Sequence, residues 1–400
     1  MRRYLSLLII ILAVAAVLAA GYFLRYRSAS LFGGGEESMG NLPAPGEAQT
    51  VTPPPSPPVS ALPGGAEQPT TSGTFGVVAE APAVDYFVDA SGTVILVQPD
   101  GQIVSVAQEL ETVLSASSIA PLTKAIFSFD GKKVLVVFGE RNALHLSVFD
   151  VAARSWQPLS FNGNVQDITW SPNDHRLLYL IENGGSATLA TLNVDDKTAK
   201  PRELARLHVN DVLLQWTHPD VITIASRPSA LVAGSIWTFN PTSRVLTPVA
   251  QGVPGAEVIW DRRSNKGLLL KSSERGGGTL SLITRGGNVL RELDVLTLPE
   301  KCTFWTGKRA ATSTGATTSS LLCAAPRIQD AFLRNTIPDV YLKRALYTED
   351  DFLAVDTDTR ETYSIFSDQE RPLDATQLKV VRDALFFINR YDQRIYAISL

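Results

Sequence analysis

Five aromatic residues recur at nearly constant spacing along the chain: Phe127, Trp170, Trp216, Trp260 and Trp305, with separations of 43, 46, 44 and 45 residues. Each closes a short alternating apolar run and is followed by a polar turn. Phe127 leads through Ser128-Phe129-Asp130-Gly131-Lys132 into a run at 133–137, and Trp170 leads through Ser171-Pro172-Asn173-Asp174 into one at 177–180. Further on in each period comes a third apolar run, such as 146–149 or 236–239, and a fourth follows across another turn. Four short strands in a period of roughly 44 residues mark the blade of a β-propeller. One four-stranded blade cannot bury both of its faces. A ring of blades seals each against its neighbour and leaves few free edges. The expected fold is therefore all-β, with the aromatic anchors packed between blades, each burying about 150–250 Å². A ligand-stacking platform is the alternative use of the Trp series.

The turns after Trp170 and Phe127 resemble the aromatic-Ser-Pro-Asp-Gly-Lys motif of WD40-like and TolB-like bacterial propellers. The likeness covers residues 84–400. It implies a propeller and, as those families are mostly used, an interaction platform. No repeat carries the Gly-His and Trp-Asp pairs of eukaryotic WD40 blades, and only Trp170 keeps the Ser-Pro form. Periods begin near residues 122, 164, 209, 255, 300 and 376, and the last has no fourth strand before the chain ends. Further runs at 86–88, 93–97 and 103–106 open the domain. Seven blades, the last closed by an N-terminal strand, is the favoured count; six stays open.

The N-terminal part has a different character. Leu5 to Leu24 is an apolar run broken only by Ser6, Gly21 and Tyr22. At about 1.5 Å per residue it spans roughly 30 Å, the thickness of a bilayer core. Leu18-Ala19-Ala20 offers a competing signal-peptide cleavage site, but the run is longer than a signal core and continues past it. Residues 1–27 are thus expected to be a short cytoplasmic tip and a single transmembrane anchor. Arg2 and Arg3 precede the run, and Arg25 and Arg27 follow it. With the terminal amine, the short end is the more positive, so the N-terminus is expected inside and the C-terminal domain outside a bacterial cytoplasmic membrane. Residues 28–83 are rich in Pro, Gly and Ser, with Pro53, Pro54, Pro55, Pro57 and Pro58 in one cluster. Such a segment cannot bury a core and is expected to be a disordered linker.

Outside the four flanking arginines the chain has 32 basic against 40 acidic residues. That balance excludes nucleic acid as the expected partner. The two cysteines, Cys302 and Cys323, fall on neighbouring predicted strands, and a disulfide is expected in an oxidising compartment. An insertion at 326–351 interrupts the same blade. Asp339 is expected to cap a short helix running to Tyr347, and Tyr341, Leu342, Leu346 and Tyr347 are candidate partner contacts.

No nucleophile elbow, P-loop, dinucleotide fingerprint or zinc-protease motif occurs. The four histidines have no metal-ligand spacing, and no metal or other cofactor is expected. One pattern bears on chemistry. Lys124, Asp167 and Glu257 each stand three residues before an anchor, and Asp211 is close to the equivalent position. Lying at the start of innermost strands, these four residues are expected to ring one mouth of the channel, either as a binding site or as ordinary rim charge. The reading that results is a membrane-anchored, non-enzymatic extracytoplasmic platform for an envelope protein or a glycan. The alternative is a metal-dependent hydrolase or lyase using the channel mouth.

Overall fold

A computed structural model describes residues 74–400, apart from 116–117, 141–142, 184, 210, 309–316 and 360. The expected anchor and nearly all of the expected linker lie outside the described residues. Among those described, no helix is long and apolar enough to cross a membrane.

The strands form seven four-stranded antiparallel sheets. Blade one begins with Asp85–Val88 and blade two with Leu122–Phe127. Blades three to six begin with Asn164–Trp170, Val212–His218, Glu257–Trp260 and Cys302–Lys308. Blade seven takes Ala375–Val381, Ala384–Asn389 and Ile395–Ser399 from the end of the chain, and its fourth strand is Phe75–Ala79. The first strands of neighbouring blades are the ones that approach one another, so they line the axis.

The closing strand corrects a boundary. Phe75–Ala79 falls within the stretch assigned to the linker, yet it pairs with Ile395–Ser399 and puts the start of the propeller near residue 74 instead of 84. Phe75 fixes it by stacking on Phe366 of blade six and Tyr396 of blade seven, with centroids at 4.8 and 5.4 Å.

Seven buried clusters hold the ring, and each draws on two adjacent blades. Leu135 and Val148 of blade two meet Trp170 and Tyr179 of blade three. Val97 of blade one meets Phe127 of blade two, and Ile236 of blade four meets Trp260 of blade five. The cluster with Val94 and Leu96 of blade one takes Phe386 and Ile395 of blade seven, which closes the circle. The anchors also reach back through polar groups. Trp170 donates its indole N–H to the Ile126 carbonyl at 2.9 Å, and Trp260 donates to Thr223 Oγ1 at 2.8 Å.

The fifth anchor is misassigned by the sequence. Trp305 packs toward blade seven, whereas Phe304, one residue earlier, faces blade five beside Cys302. Side chains alternate along a strand, so a spacing one residue too long moves the ring to the opposite face. Phe304 holds the position that Trp260 holds in blade five.

The turn after Phe127 shows why its residues belong together. Ser128 Oγ and the Lys132 N–H both bond the Asp130 carboxylate, and Lys133 N–H donates to Ser128 Oγ. Gly131 has a φ of +70°, and a Cβ there would collide with the ring of Phe87 in blade one. Burial pushes Asp130 up, but bonds from His175 of blade three, Lys132 and Ser128 outweigh it and draw the carboxyl down to about 2.

Cys302 and Cys323 lie directly opposite on the first two strands of blade six and are joined in a disulfide. The bridge closes a loop with a sequence separation of 21. Its reduction is expected to lower unfolding free energy by about 3 kcal/mol in the chain-entropy model, read as the shift in urea midpoint with and without reductant. Two free thiols in the unfolded, unreduced protein would contradict the bridge.

Candidate binding face

In a four-stranded antiparallel blade, the start of the first strand, the turn between strands two and three and the link to the next blade all lie at one end. The insertion at 326–351 is such a second-to-third turn, between Thr317–Pro326 and Asp350–Asp356 of blade six. It therefore shares an end of the propeller with the starts of the axial strands. It contains two single-turn helices, Asp330–Leu333 and Asp339–Leu342. The second is shorter than the sequence suggests, and Asp339 is not its cap. Its carboxylate instead reaches blade four, accepting from Ser229 Oγ at 2.8 Å and the Ala230 N–H at 2.6 Å. Ser272 and Gly277 of blade five bond the Ile337 and Asn335 carbonyls at 2.5 and 3.0 Å. Arg390 of blade seven bonds the Tyr341 and Leu346 carbonyls at 3.0 and 3.3 Å. One blade's insertion is thus strapped to three other blades.

Beneath the strap lies a buried ion cluster. Lys301, wholly buried, sits 2.7 Å from Asp350, 2.6 Å from Asp374 and 2.7 Å from Thr348 Oγ1. Asp374 also accepts from Tyr341 O–H at 2.8 Å and pairs with Arg390 at 2.9 Å. Burial pushes the Asp350 carboxyl up, although Lys301 draws it down. Burial and the charge of Asp374 push the Tyr341 phenol far up. Tyr341 is therefore a core residue and not the partner contact expected from sequence. Leu346 is half-buried against the cluster between blades five and six, while Leu342 and Tyr347 are exposed.

The four residues expected to ring the channel mouth do not form one ring. Lys124 of blade two pairs with Asp167 of blade three at 2.7 Å, and Asp167 also accepts the Leu214 N–H of blade four at 2.7 Å. The same stitch joins Lys379 of blade seven to Asp85 of blade one at 2.9 Å, and Asp85 accepts the Phe127 N–H of blade two. Asp211 stands apart, exposed and paired with Arg227 at 2.5 Å. Among the described residues no three His, Cys, Asp or Glu side chains converge as metal ligands.

Glu257 breaks the pattern of stitches. It stands three residues before its anchor, as Lys124 does, but its neighbour on the next blade is another acid, Glu300. Its Oε2 is buried without a protein partner. Burial, then the charge of Glu300, push the Glu257 carboxyl well above the usual range, and burial raises Glu300 as well. A carboxyl raised in this way keeps its proton to higher pH than an ordinary glutamate, and while protonated it can donate a hydrogen bond at the axial end of the propeller.

No protein-family model and no curated protein sequence matches this chain. Solved structures do match in fold. Tricorn protease aligns over 84% of this chain at 13% identity and a TM-score of 0.50, and the chain spans only 35% of that protein. The oligogalacturonate lyase of Vibrio parahaemolyticus aligns over 83% of this chain and 95% of its own, at 9% identity and a TM-score of 0.53. TolB from Acinetobacter baumannii aligns over 79% and 62%, at 11% identity and a TM-score of 0.38. Likeness at such identities is likeness of fold.

Two variants test the electrostatics. Lys301→Met leaves Asp350 and Asp374 buried without their shared cation, and it should cost about 3–5 kcal/mol, read as a lower urea midpoint at unchanged slope. Glu257 has a folded value above its unfolded one. Its proton therefore stabilises the fold at acid pH, and that contribution is lost as pH rises through the raised value. Relative to wild type, Glu257→Gln should gain melting temperature as pH rises above the ordinary glutamate range. An offset that does not change with pH would contradict the buried proton.

Proposed function

We propose that this chain is a non-enzymatic binding platform that presents the strapped insertion of blade six to a partner. The observation that carries the reading is a rigid insertion that still leaves large apolar side chains in water. Hydrogen bonds hold it to blades four, five and seven, yet Leu342 is 46% exposed, Tyr347 38% and Tyr391 of blade seven 44%. A surface already fixed before binding loses little freedom on association, and aromatic side chains beside arginine are the usual anchors of protein interfaces. We place the propeller outside the cytoplasm, held at a bacterial membrane through residues 5–24, with an envelope protein or a glycan as partner. The disulfide supports this location, since such bonds persist in oxidising compartments.

The second reading, an extracytoplasmic hydrolase or lyase, has the Glu257–Glu300 pair in its favour, because a protonated carboxyl can serve as a general acid. Its metal-dependent form has no ligand set among the described residues.

Crosslinking in native membranes separates the two. The platform reading expects a stable partner that co-purifies with wild type and is lost with the double variant Tyr347→Ala/Tyr391→Ala, whose melting should be unchanged. Capture unaffected by that variant would remove the insertion face from the reading. Turnover of a polysaccharide or peptide that Glu257→Gln abolishes would favour the enzyme.

A further inference from the structure

The second short helix of the insertion ends in a turn whose residues Leu342, Lys343, Arg344 and Ala345 are all exposed. Arg344 takes a φ of 57° there, and Arg344 N–H donates to the Tyr341 carbonyl at 2.9 Å, so the turn is fixed by its own backbone. The other cations of the insertion are occupied. Arg327 pairs with Asp351 at 3.2 Å, and Arg334 pairs with Asp330 at 2.6 Å. The side chains of Lys343 and Arg344 have no ion pair or hydrogen bond among the described residues. They stand between two exposed apolar residues, Leu342 and Tyr347. The ring of Tyr347 lies 5.2 Å from that of Tyr391, and the Arg390 guanidinium lies over it at 4.7 Å. Below, Arg390 is fixed by Asp374.

We infer that this turn docks an acidic segment of a protein partner, one that carries Asp or Glu beside a large apolar side chain. The inference rests on the platform reading above and names the partner's chemistry. Two free cations in a domain richer in acids than bases create a local field of the opposite sign to the whole, which steers and orients an acidic ligand. The apolar pair on either side supplies the area that charge alone does not. Two cations are too few to hold nucleic acid, whose affinity is built from many phosphate contacts. Two cations are also fewer than the clusters of about four to eight that hold a protein to an anionic bilayer. A neutral glycan would leave both cations unmatched.

The test is a phage-displayed peptide selection on the full chain, with the selected peptides then measured against variants. The expected peptides combine Asp or Glu with Leu, Phe or Trp, bind more weakly as salt rises, and lose about tenfold or more in affinity to Lys343→Glu/Arg344→Glu. They should also weaken with Leu342→Asp. Peptides without acidic enrichment that weaken only with Leu342→Asp or Tyr347→Ala would overturn the acidic partner and leave the platform standing. Peptides indifferent to all of these variants, or no selected peptide, would overturn the inference. Binding to phosphatidylglycerol vesicles lost with Lys343→Glu/Arg344→Glu would assign the turn to lipid, and self-association lost with Leu342→Asp would assign it to a second copy; either result overturns the inference.

Discussion

Every buried apolar cluster among the described residues belongs to two blades at once. A four-stranded sheet with apolar side chains on both faces has no stable place in water by itself, and here each face is covered only by the next sheet in the circle. The first strands of neighbouring blades approach one another around the axis. The anchors Phe127, Trp170, Trp216 and Trp260 fill the gap on the side of the preceding blade. Burial therefore fixes the order and number of blades together, because removing one would leave two faces uncovered.

Polar contacts near the axis add a second layer. A lysine on one blade meets an aspartate on the next, and the aspartate then takes a backbone N–H from the blade beyond, so one carboxylate ties three blades. These pairs are partly screened by water, and their individual contributions are modest. The boundary between blades five and six lacks such a pair and carries the two acids instead. The same region holds the disulfide, the strap and the buried Lys301 cluster. Reinforcement thus concentrates where the repeat is least regular.

Much of the architecture was legible in the sequence because period and alternation are local properties. The spacing of the aromatic anchors and the turn after Phe127 placed the blades, and the two cysteines on adjacent strands found each other. What failed was non-local. The sequence leads to an N-terminal strand closing the last blade, but it does not single out Phe75–Ala79, five residues following a polar stretch read as linker. Spacing alone selects Trp305 over Phe304, because a tolerance of one residue cannot tell the two faces of a strand apart. Tyr341 looked like a surface anchor, since the sequence does not show that Lys301, Asp374 and Arg390, from three distant segments, converge around it. The spacing places Glu257 in one ring with Lys124, Asp167 and Asp211; its neighbour is instead Glu300, in the 3-10 turn before blade six and outside that spacing.

The strand that closes blade seven has a consequence for how the molecule comes into being. Thr74 and Ser399 share a hydrogen bond across a sequence distance of 325, so the earliest strand to be synthesised waits for one of the last. Until then both flanking blades present a bare sheet edge and a bare apolar face. Such contacts are slow to form and invite wrong partners while they are missing. Assembly of this ring is therefore finished at its seam, and any factor that shields Phe75–Ala79 in the meantime would govern how much correctly closed protein a cell obtains.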